Sequence, residues 1–258
     1  MTQAQAEAER CGLIPEEVSA EFYAQHLSAY AFVGPRVAGQ KVLEVGFGDG
    51  YGAAYLARTA REVAAVDVVE GNIPLARKKY PLPNLAFHHF DGLHLPFPDG
   101  AFDAAGSFQV IEHVPEPHLV QWLAEIRRVL HLGGRFYVST LNLEHAQKPG
   151  KPYQKLIYHE KEFTKADLQD LLQQIFPRVQ MYGLHPSPKH RLFKRLKKWG
   201  FRGWLPGPLN VVDRFYARMT PADFVVRAAG VPRSLDLIAV CETAWPPSDQ
   251  RLTAPPKG

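Results

Sequence analysis

The chain has 258 residues, 46% of them hydrophobic, which suits one domain with a sizeable core and room for an insertion. The net charge of +4 is local: between Asp170 and Asp213 there is no acid but eight lysines and arginines, so the remainder is net acidic and a uniformly basic nucleic-acid surface is excluded. Nothing approaches the roughly 18 consecutive apolar residues of a membrane span. The polar start, Met1 to Arg10, has no apolar signal-peptide core. Two distant cysteines, Cys11 and Cys241, form no metal-ligand spacing and fit a reducing, cytoplasmic location.

In chain order, Ile14 to Val33 reads as a helix. Pro15-Glu16-Glu17 suits its first turn, and Phe22, Tyr23, His26, Leu27, Tyr30 and Val33 recur at helical spacing. That face either packs on the domain or lids a pocket. Lys41 to Ala57 follows, the stretch around which the chain is organised. Val42 to Val45 is a buried parallel strand that runs through Gly46-Phe47-Gly48-Asp49-Gly50-Tyr51-Gly52 into a helix start. Such a turn aims free backbone N–H groups at a ligand above the carboxyl end of the sheet. The dinucleotide fingerprint fits poorly from Gly46, because Tyr51 falls sixth, and loosely from Gly48, with Ala53 sixth. Glu44, two residues before Gly46, suits a cationic ligand better than a dinucleotide.

Glu62 to Asp67 is a second strand, and Asp67 at its end is placed to accept from a ribose diol. A helix over Ile73 to Tyr80 precedes a third strand, Leu85 to Asp91. Leu95-Pro96-Phe97 and the turn Asp99-Gly100 lead to a fourth, Phe102 to Phe108. Ser107-Phe108-Gln109-Val110-Ile111-Glu112-His113-Val114 comes next. Together with Glu44-x-Gly46-x-Gly48-x-Gly50 and the Asp91 segment, it resembles the class I S-adenosylmethionine-dependent methyltransferases of type 11. The resemblance covers most of Leu13 to Asn142 and resumes near the end. Phe47 and Asp49 depart from the family, where cysteine and threonine are frequent.

The resemblance implies S-adenosylmethionine as cofactor. Glu44, Gly46, Phe47, Gly48 and Gly50 would serve its amino-acid part, Asp67 and Val68 its ribose, and Asp91 and Gly92 its adenine. Gln109 and His113 would lie beside it. Apart from the resemblance, Tyr23, His26 or Tyr30 on the first helix is a candidate lid residue, since an aromatic ring gains energy near a sulfonium. The resemblance also implies a Rossmann-like, seven-stranded, mostly parallel sheet with helices on both faces and the last strand antiparallel beside the fifth.

Leu119 to Leu130 is an amphipathic helix stopped by Gly133-Gly134, before a fifth strand, Arg135 to Thr140, that ends at Leu141-Asn142. Thr164 caps a helix with Leu168, Leu171, Leu172 and Phe176 inside. Arg178 to Gly183 and Ser234 to Cys241 are strands six and seven. The expected organisation is a helical extension (1–36), a core (37–184 and 233–245), a basic helical insertion over the active site (185–232) and a disordered tail (246–258). Within the insertion, 189–204 carries Leu192, Phe193, Leu196 and Trp199 on one stripe and Lys and Arg on the other. That pattern suits a solvated helix, an anionic or nucleotide-linked acceptor, or an anionic membrane surface.

The expected reaction is methyl transfer by in-line displacement to a small-molecule acceptor. The later segments resemble bacterial methyltransferases of glycan biosynthesis, which points to a sugar or glycan hydroxyl. Candidate catalytic residues are His113 and His159, each a base near neutral pH, and Asn142 to orient the hydroxyl. Methylation of a quinone or lipid is the alternative within the fold. A non-catalytic, cofactor-binding partner subunit is the alternative outside it. No metal site is expected, and nucleic acid is not an expected partner.

Overall fold

The computed structural model describes residues 12–147, 150, 152–201 and 210–243. Cys11, Arg202, Trp204 and the proline-rich tail lie outside the described residues. In chain order the strands are β1 (Lys41–Val45), β2 (Glu62–Asp67), β3 (Leu85–His89), β4 (Phe102–Phe108), β5 (Leu130–Leu141), β6 (Arg178–Pro186), β7 (Phe224–Arg227) and β8 (Asp236–Glu242). The helices are α1 (Ala20–Val33), α2 (Tyr51–Leu56), α3 (Asn72–Lys79), α4 (Leu119–Val129), α5 (Leu143–Ala146), α6 (Lys165–Gln173), α7 (Pro188–Lys198) and α8 (Val211–Tyr216).

One sheet runs in the order β3-β2-β1-β4-β5-β8-β6-β7. The first five of these strands are parallel; β8 is antiparallel to both β5 and β6. The inner strands are buried on both faces, and their side chains alternate between two cores. Leu43, Ala64, Ala105, Phe136 and Leu237 face α4 and α6. Val42, Ala65, Ala104, Tyr137 and Ile238 face α1, α2 and α3. The turns leaving β1, β2 and β4 therefore open at the same edge of the sheet, where parallel α/β sheets receive ligands.

Several elements differ from the sequence expectation. Among the described residues the sheet has eight strands, because β7, from the segment 185–232, pairs antiparallel with β6. That segment is thus part sheet, with α7 and α8 between its strands. Four residues at a sheet edge leave too little alternation to be read from sequence. The expected N-terminal helix is interrupted: a single 3-10 turn at Pro15–Glu17 precedes α1, which Ser19 caps by accepting from the Phe22 N–H at 3.2 Å. Gly133-Gly134 lies inside β5 instead of ahead of it. The strand begins at Leu130 and bulges before it regains register with β4 at Arg135. Thr243 holds the bulge, accepting from Gly133 N–H and donating to His131 O, both at 2.9 Å.

Helix α1 is fixed to the sheet by a buried hydrogen bond. The Tyr30 hydroxyl donates to Glu44 Oε1 at 2.6 Å. Neither group reaches solvent to any extent: Glu44 is 0% and Tyr30 4% exposed. Burial pushes the Glu44 carboxyl from its ordinary 4.5 up to about 8, although the Tyr30 bond pulls the other way. The Tyr30 ring lies directly over Gly52, where a methyl group would overlap it. Gly52 is therefore required by close approach.

Two outcomes follow for stability. Gly52→Ala must displace the Tyr30 ring and should cost about 1–3 kcal/mol in urea unfolding. Gly71→Ala, with open space around it, should stay within about 0.5 kcal/mol of the parent. The folded chain holds the Glu44 proton at pH values where the unfolded chain has released it. Its contribution is present below 4.5 and is lost as pH rises through about 8. The urea midpoint should fall across this window, and Glu44→Gln should fall less, a comparison that separates Glu44 from histidines titrating in the same range.

Candidate active site

A cavity of about 710 Å³ opens at the carboxyl edge of the parallel strands. Three loops from β1, β2 and β3 supply one part of its wall. After β1, Gly46, Phe47 and Gly48 line it; after β2, Asp67 and Val68; after β3, Asp91, Gly92 and Leu93. Gly46 takes φ +82°, and a Cβ there would meet Val110 Cγ2 at 2.5 Å. The loop can pass this close to the β4 turn only without a side chain.

Asp67 ties two of these loops together. Its Oδ2 accepts from Gly48 N–H and its Oδ1 from Val69 N–H, both at 2.8 Å. Burial raises its carboxyl pKa; the two backbone donors oppose the rise. Asp91 is more exposed and closes its own turn. Its Oδ1 accepts from the N–H of Leu93 at 2.8 Å and of His94 at 2.7 Å, and its Oδ2 lies 2.7 Å from His94 Nδ1. These contacts hold its carboxyl well below the ordinary range. Gln109, at the end of β4, also lines the cavity and adopts φ +57°, an uncommon conformation for a residue with a side chain.

The rest of the wall mixes apolar side chains, among them Leu13, Val110, Val114, Trp122 and Leu141, with polar ones from four places. Helix α1 gives Phe22, Gln25, His26 and Tyr30; the turn after β4 gives Glu112 and His113; the loop before α6 gives Tyr158 and His159; β8 gives Asp236. The two imidazoles meet edge to face at 5.0 Å. His113 Nδ1 lies 2.9 Å from Tyr158 O, and His159 Nδ1 lies 2.9 Å from Glu162 Oε1. His159 and Glu162 are both buried, and Glu162 also accepts from the Tyr153 hydroxyl. Backbone bonds secure the arrangement: Glu112 O accepts from Glu160 N–H at 2.7 Å. Gln25 Nε2 donates to both oxygens of Asp236, at 3.0 and 3.1 Å. Burial pushes the Asp236 carboxyl up to about 7; Gln25 opposes this and the Glu112 charge adds to it.

The sequence candidates thus separate. Gly46, Phe47, Gly48, Asp67, Val68, Asp91, Gly92, Gln109, His113, Tyr30 and His159 line one cavity. Glu44 does not: it lies behind the loop, covered by Tyr30. Gly50 caps α2 at φ +96° and packs towards Ala76 and Phe87. Tyr23 packs edge-on against Tyr51 at 5.4 Å, outside the cavity wall. Asn142 is also set aside by the geometry. It is fully buried, with its amide nitrogen donating to Ser234 O at 2.9 Å and Val231 O at 3.2 Å, and its oxygen capping α5 through Glu144 N–H at 3.1 Å. Among the described residues, none of the segment 185–232 lines the cavity.

Gln25, Asp236 and Glu162 were not read from the sequence. Asp236 left a signal, since an acid inside the apolar run from Leu235 to Cys241 has to find a partner. Glu162, three residues after His159, left a weaker one.

Comparison with known proteins places the chain. A family model described as a methyltransferase domain matches residues 43–138. Probable S-adenosylmethionine-dependent methyltransferases of Mycolicibacterium smegmatis and Mycobacterium tuberculosis are 36% and 32% identical over 152 and 244 residues. These matches cover 59% and 88% of this chain, and 57% and 86% of those proteins. A phthiotriol/phenolphthiotriol dimycocerosates methyltransferase of M. tuberculosis is 36% identical over 132 residues, 50% of this chain and only 48% of that enzyme. The structure of a Burkholderia thailandensis 1,6-didemethyltoxoflavin-N1-methyltransferase, solved with S-adenosylhomocysteine, superposes with a TM-score of 0.58 at 18% identity, covering 93% and 85% of the two chains. That likeness establishes the Rossmann-like fold.

The residues present fit the cofactor those names carry. The loops after β1 and β3 bring Gly46, Gly48 and Gly92 to the cavity, all at positive φ and without side chains to fill it, and Asp67 sets a carboxylate at its wall. With 88% of its length matched to the M. tuberculosis relative at 32% identity, this chain belongs to the S-adenosylmethionine-dependent methyltransferases.

Proposed function

We propose that the chain methylates a hydroxyl of a small polar acceptor, a sugar or glycan precursor, at the end of the cavity formed by Gln25, His26, Glu112, His113, His159 and Asp236. The observation that carries this reading is the concentration of hydrogen-bonding groups there, drawn from α1, the β4 turn, the loop before α6 and β8. Each carbon-bound hydroxyl of a polyol needs a partner when it leaves water, and the polar side chains at this end of the cavity offer such partners.

When bound, S-adenosylmethionine supplies an electrophilic methyl group and leaves as a neutral thioether. Asp67, Asp91 and the loop glycines would hold its nucleoside, and Gln109 and Phe108 the region between nucleoside and acceptor. Glu44 would act from behind the loop by positioning it, since its carboxylate does not reach the cavity. The acceptor hydroxyl must give up a proton, and His159 is the base of choice. Its Nδ1 is held by buried Glu162 at 2.9 Å, which fixes the orientation of the ring. His113, held by Tyr158 O, packs against it. Burial by α1 keeps water from competing for the methyl group.

A lipid acceptor is the second reading, and two observations favour it. The phthiotriol relative acts on a lipid by name. Helix α7 and its C-terminal turn expose Leu192, Trp199 and Phe201 beside Arg191, Lys194, Arg195 and Lys198, a combination suited to an anionic membrane surface. Among the described residues, no helix is long and apolar enough to cross a membrane. A partner-subunit role without catalysis has less support, because Asp67, His113 and His159 line one cavity.

Purified protein incubated with methyl-labelled S-adenosylmethionine and fractionated extract of its host should place label in the sugar and glycan fraction. Label confined to lipid would replace the acceptor class. No label in any fraction would count against the activity. In that assay His159→Ala should lower turnover by about 10²- to 10⁴-fold, with affinity for S-adenosylhomocysteine unchanged. A full-rate variant would remove His159 from the reaction.

A further inference from the structure

The sequence places Leu192, Phe193, Leu196 and Trp199 on one stripe of α7, and the structure divides that stripe. Phe193 turns inward and stacks on Phe215 of α8, with ring centroids 4.1 Å apart and planes 12° from parallel. His190 is buried in the same seam, 5.1 Å from the Phe224 ring. Leu192 and Trp199 turn outward, and Trp199, which caps the helix C-terminus, is 68% exposed. Two large apolar side chains are thus left in water on one helix face, at a cost in free energy that burial against a partner would remove.

Cations surround them. At the helical repeat, Arg191, Arg195 and Lys198 follow one another along the face that carries Leu192 and Trp199, with Lys194 at its margin. Arg191, Lys194, Arg195 and Lys198 line a shallow depression of about 320 Å³ beside Pro186. Among the described residues, none of these four makes a hydrogen bond or an ion pair. The other two lysines of the helix are engaged by the protein. Lys189 Nζ lies 3.2 Å from Asp223 Oδ1, and Lys197 Nζ lies 4.2 Å from the centre of the Tyr216 ring. Glu21 of α1 feels the charge of Lys194, but its carboxylate is turned to His190 at 3.4 Å. The surrounding sequence supplies no counter-charge, since no acid occurs between Asp170 and Asp213.

We propose that the outward face of α7, built from Arg191, Leu192, Lys194, Arg195, Lys198 and Trp199, docks the chain on a bilayer surface that carries anionic phospholipid. Headgroup phosphates would meet the guanidinium and ammonium groups, while Leu192 and Trp199 enter the boundary between headgroups and acyl chains. Arg and Lys suit that depth, because their apolar stems lie beside the chains while their charges stay at the phosphates. Two kinds of complementarity together select this occupant: a soluble phosphate would satisfy the cations and leave Leu192 and Trp199 in water. The net acidic remainder of the chain turns this face, and no other, towards negative lipid. Among the described residues of 185–232 none lines the cavity, so docking uses a surface apart from it. The inference therefore goes beyond the choice of acceptor and holds for a sugar or a lipid alike.

The test is co-sedimentation of the full-length protein with vesicles of phosphatidylcholine alone or with about a third phosphatidylglycerol. The protein should sediment with the anionic vesicles and stay in solution with the neutral ones, and binding should weaken as salt rises. Arg191→Gln combined with Arg195→Gln should weaken binding by about 10- to 30-fold. Leu192→Ser combined with Trp199→Ser, which keeps every charge, should weaken it by about tenfold or more. Circular dichroism melts and unchanged affinity for S-adenosylhomocysteine establish that both variants fold. No sedimentation, equal binding to neutral vesicles, or binding that neither variant changes would overturn the proposal. Release of bound protein by millimolar inorganic phosphate at constant ionic strength would overturn it in favour of a soluble phosphate ligand. Tighter binding to a single-stranded RNA than to the vesicles would overturn it in favour of nucleic acid. Vesicle binding is read without cofactor or acceptor, so its failure leaves the methyl-transfer reading untouched, and the reverse holds.

Discussion

A carboxyl group with no access to water keeps its proton and needs a hydrogen-bond partner, and the partner of Glu44 is the hydroxyl of Tyr30, donating to Oε1 at 2.6 Å. Much of the site depends on that contact. Tyr30 sits in the last turn of α1, so the bond sets that end of the helix at a fixed height and rotation above β1 and the glycine loop. The same rotation aims Phe22, Gln25 and His26 into the cavity. It also brings Gln25 to Asp236 on β8, so that one helix joins the parallel half of the sheet to the antiparallel half. The absence of a side chain at Gly52 lets the ring lie flat enough to reach the acid. A loss at any of these points would act on the cavity wall through α1.

Two kinds of polar chemistry then share one cavity. On the side of β1, β2 and β3 the wall is made of backbone turns stitched by carboxylates: Asp67 to Gly48 and Val69, Asp91 to Leu93 and His94. These acids shape loops first and would meet a ligand as preformed acceptors. On the other side the wall is made of side chains on separate elements, with ionisable groups close enough to influence one another. Glu112 raises the pKa of Asp236, and the two imidazoles stand in contact. Rigid turns suit a cofactor common to a family. A cluster assembled from α1, the β4 turn, the loop before α6 and β8 can change without disturbing the sheet, which suits an acceptor that differs between relatives.

Legibility in the sequence followed the range of the interactions. β1, β2 and β4 were visible end to end because strands buried on both faces are continuous apolar runs, and Asp67 was visible because it terminates one. The Thr164 cap of α6 was visible because its partner, Asp167, is three residues away. Edge strand β7 was hidden: four residues owe their conformation to β6 and carry little pattern of their own. Asn142 was misplaced for a related reason. Its position at a strand end suggested a reacting centre, whereas its amide holds the turn from Val231 to Ser234 some 90 residues onward. Glu44 was rightly singled out as an unusual acid, but no sequence pattern reveals that a tyrosine from α1 stands between it and the ligand space. Gln25 and Asp236 form a long-range pair; the acid stood out within its apolar run, but nothing local named Gln25 as its partner.

We propose that the loops after β1, β2 and β3 form a preorganised site for the nucleoside of S-adenosylmethionine, with Asp67 as its principal polar anchor. Calorimetric titration of the chain with S-adenosylhomocysteine, beside an Asp67→Ala variant shown to fold, tests it most directly. The expected result is one site per chain, weakened in the variant by about 10- to 100-fold, the loss of charged hydrogen bonds to a diol. No binding by the parent chain, or equal affinity in parent and variant, would contradict it.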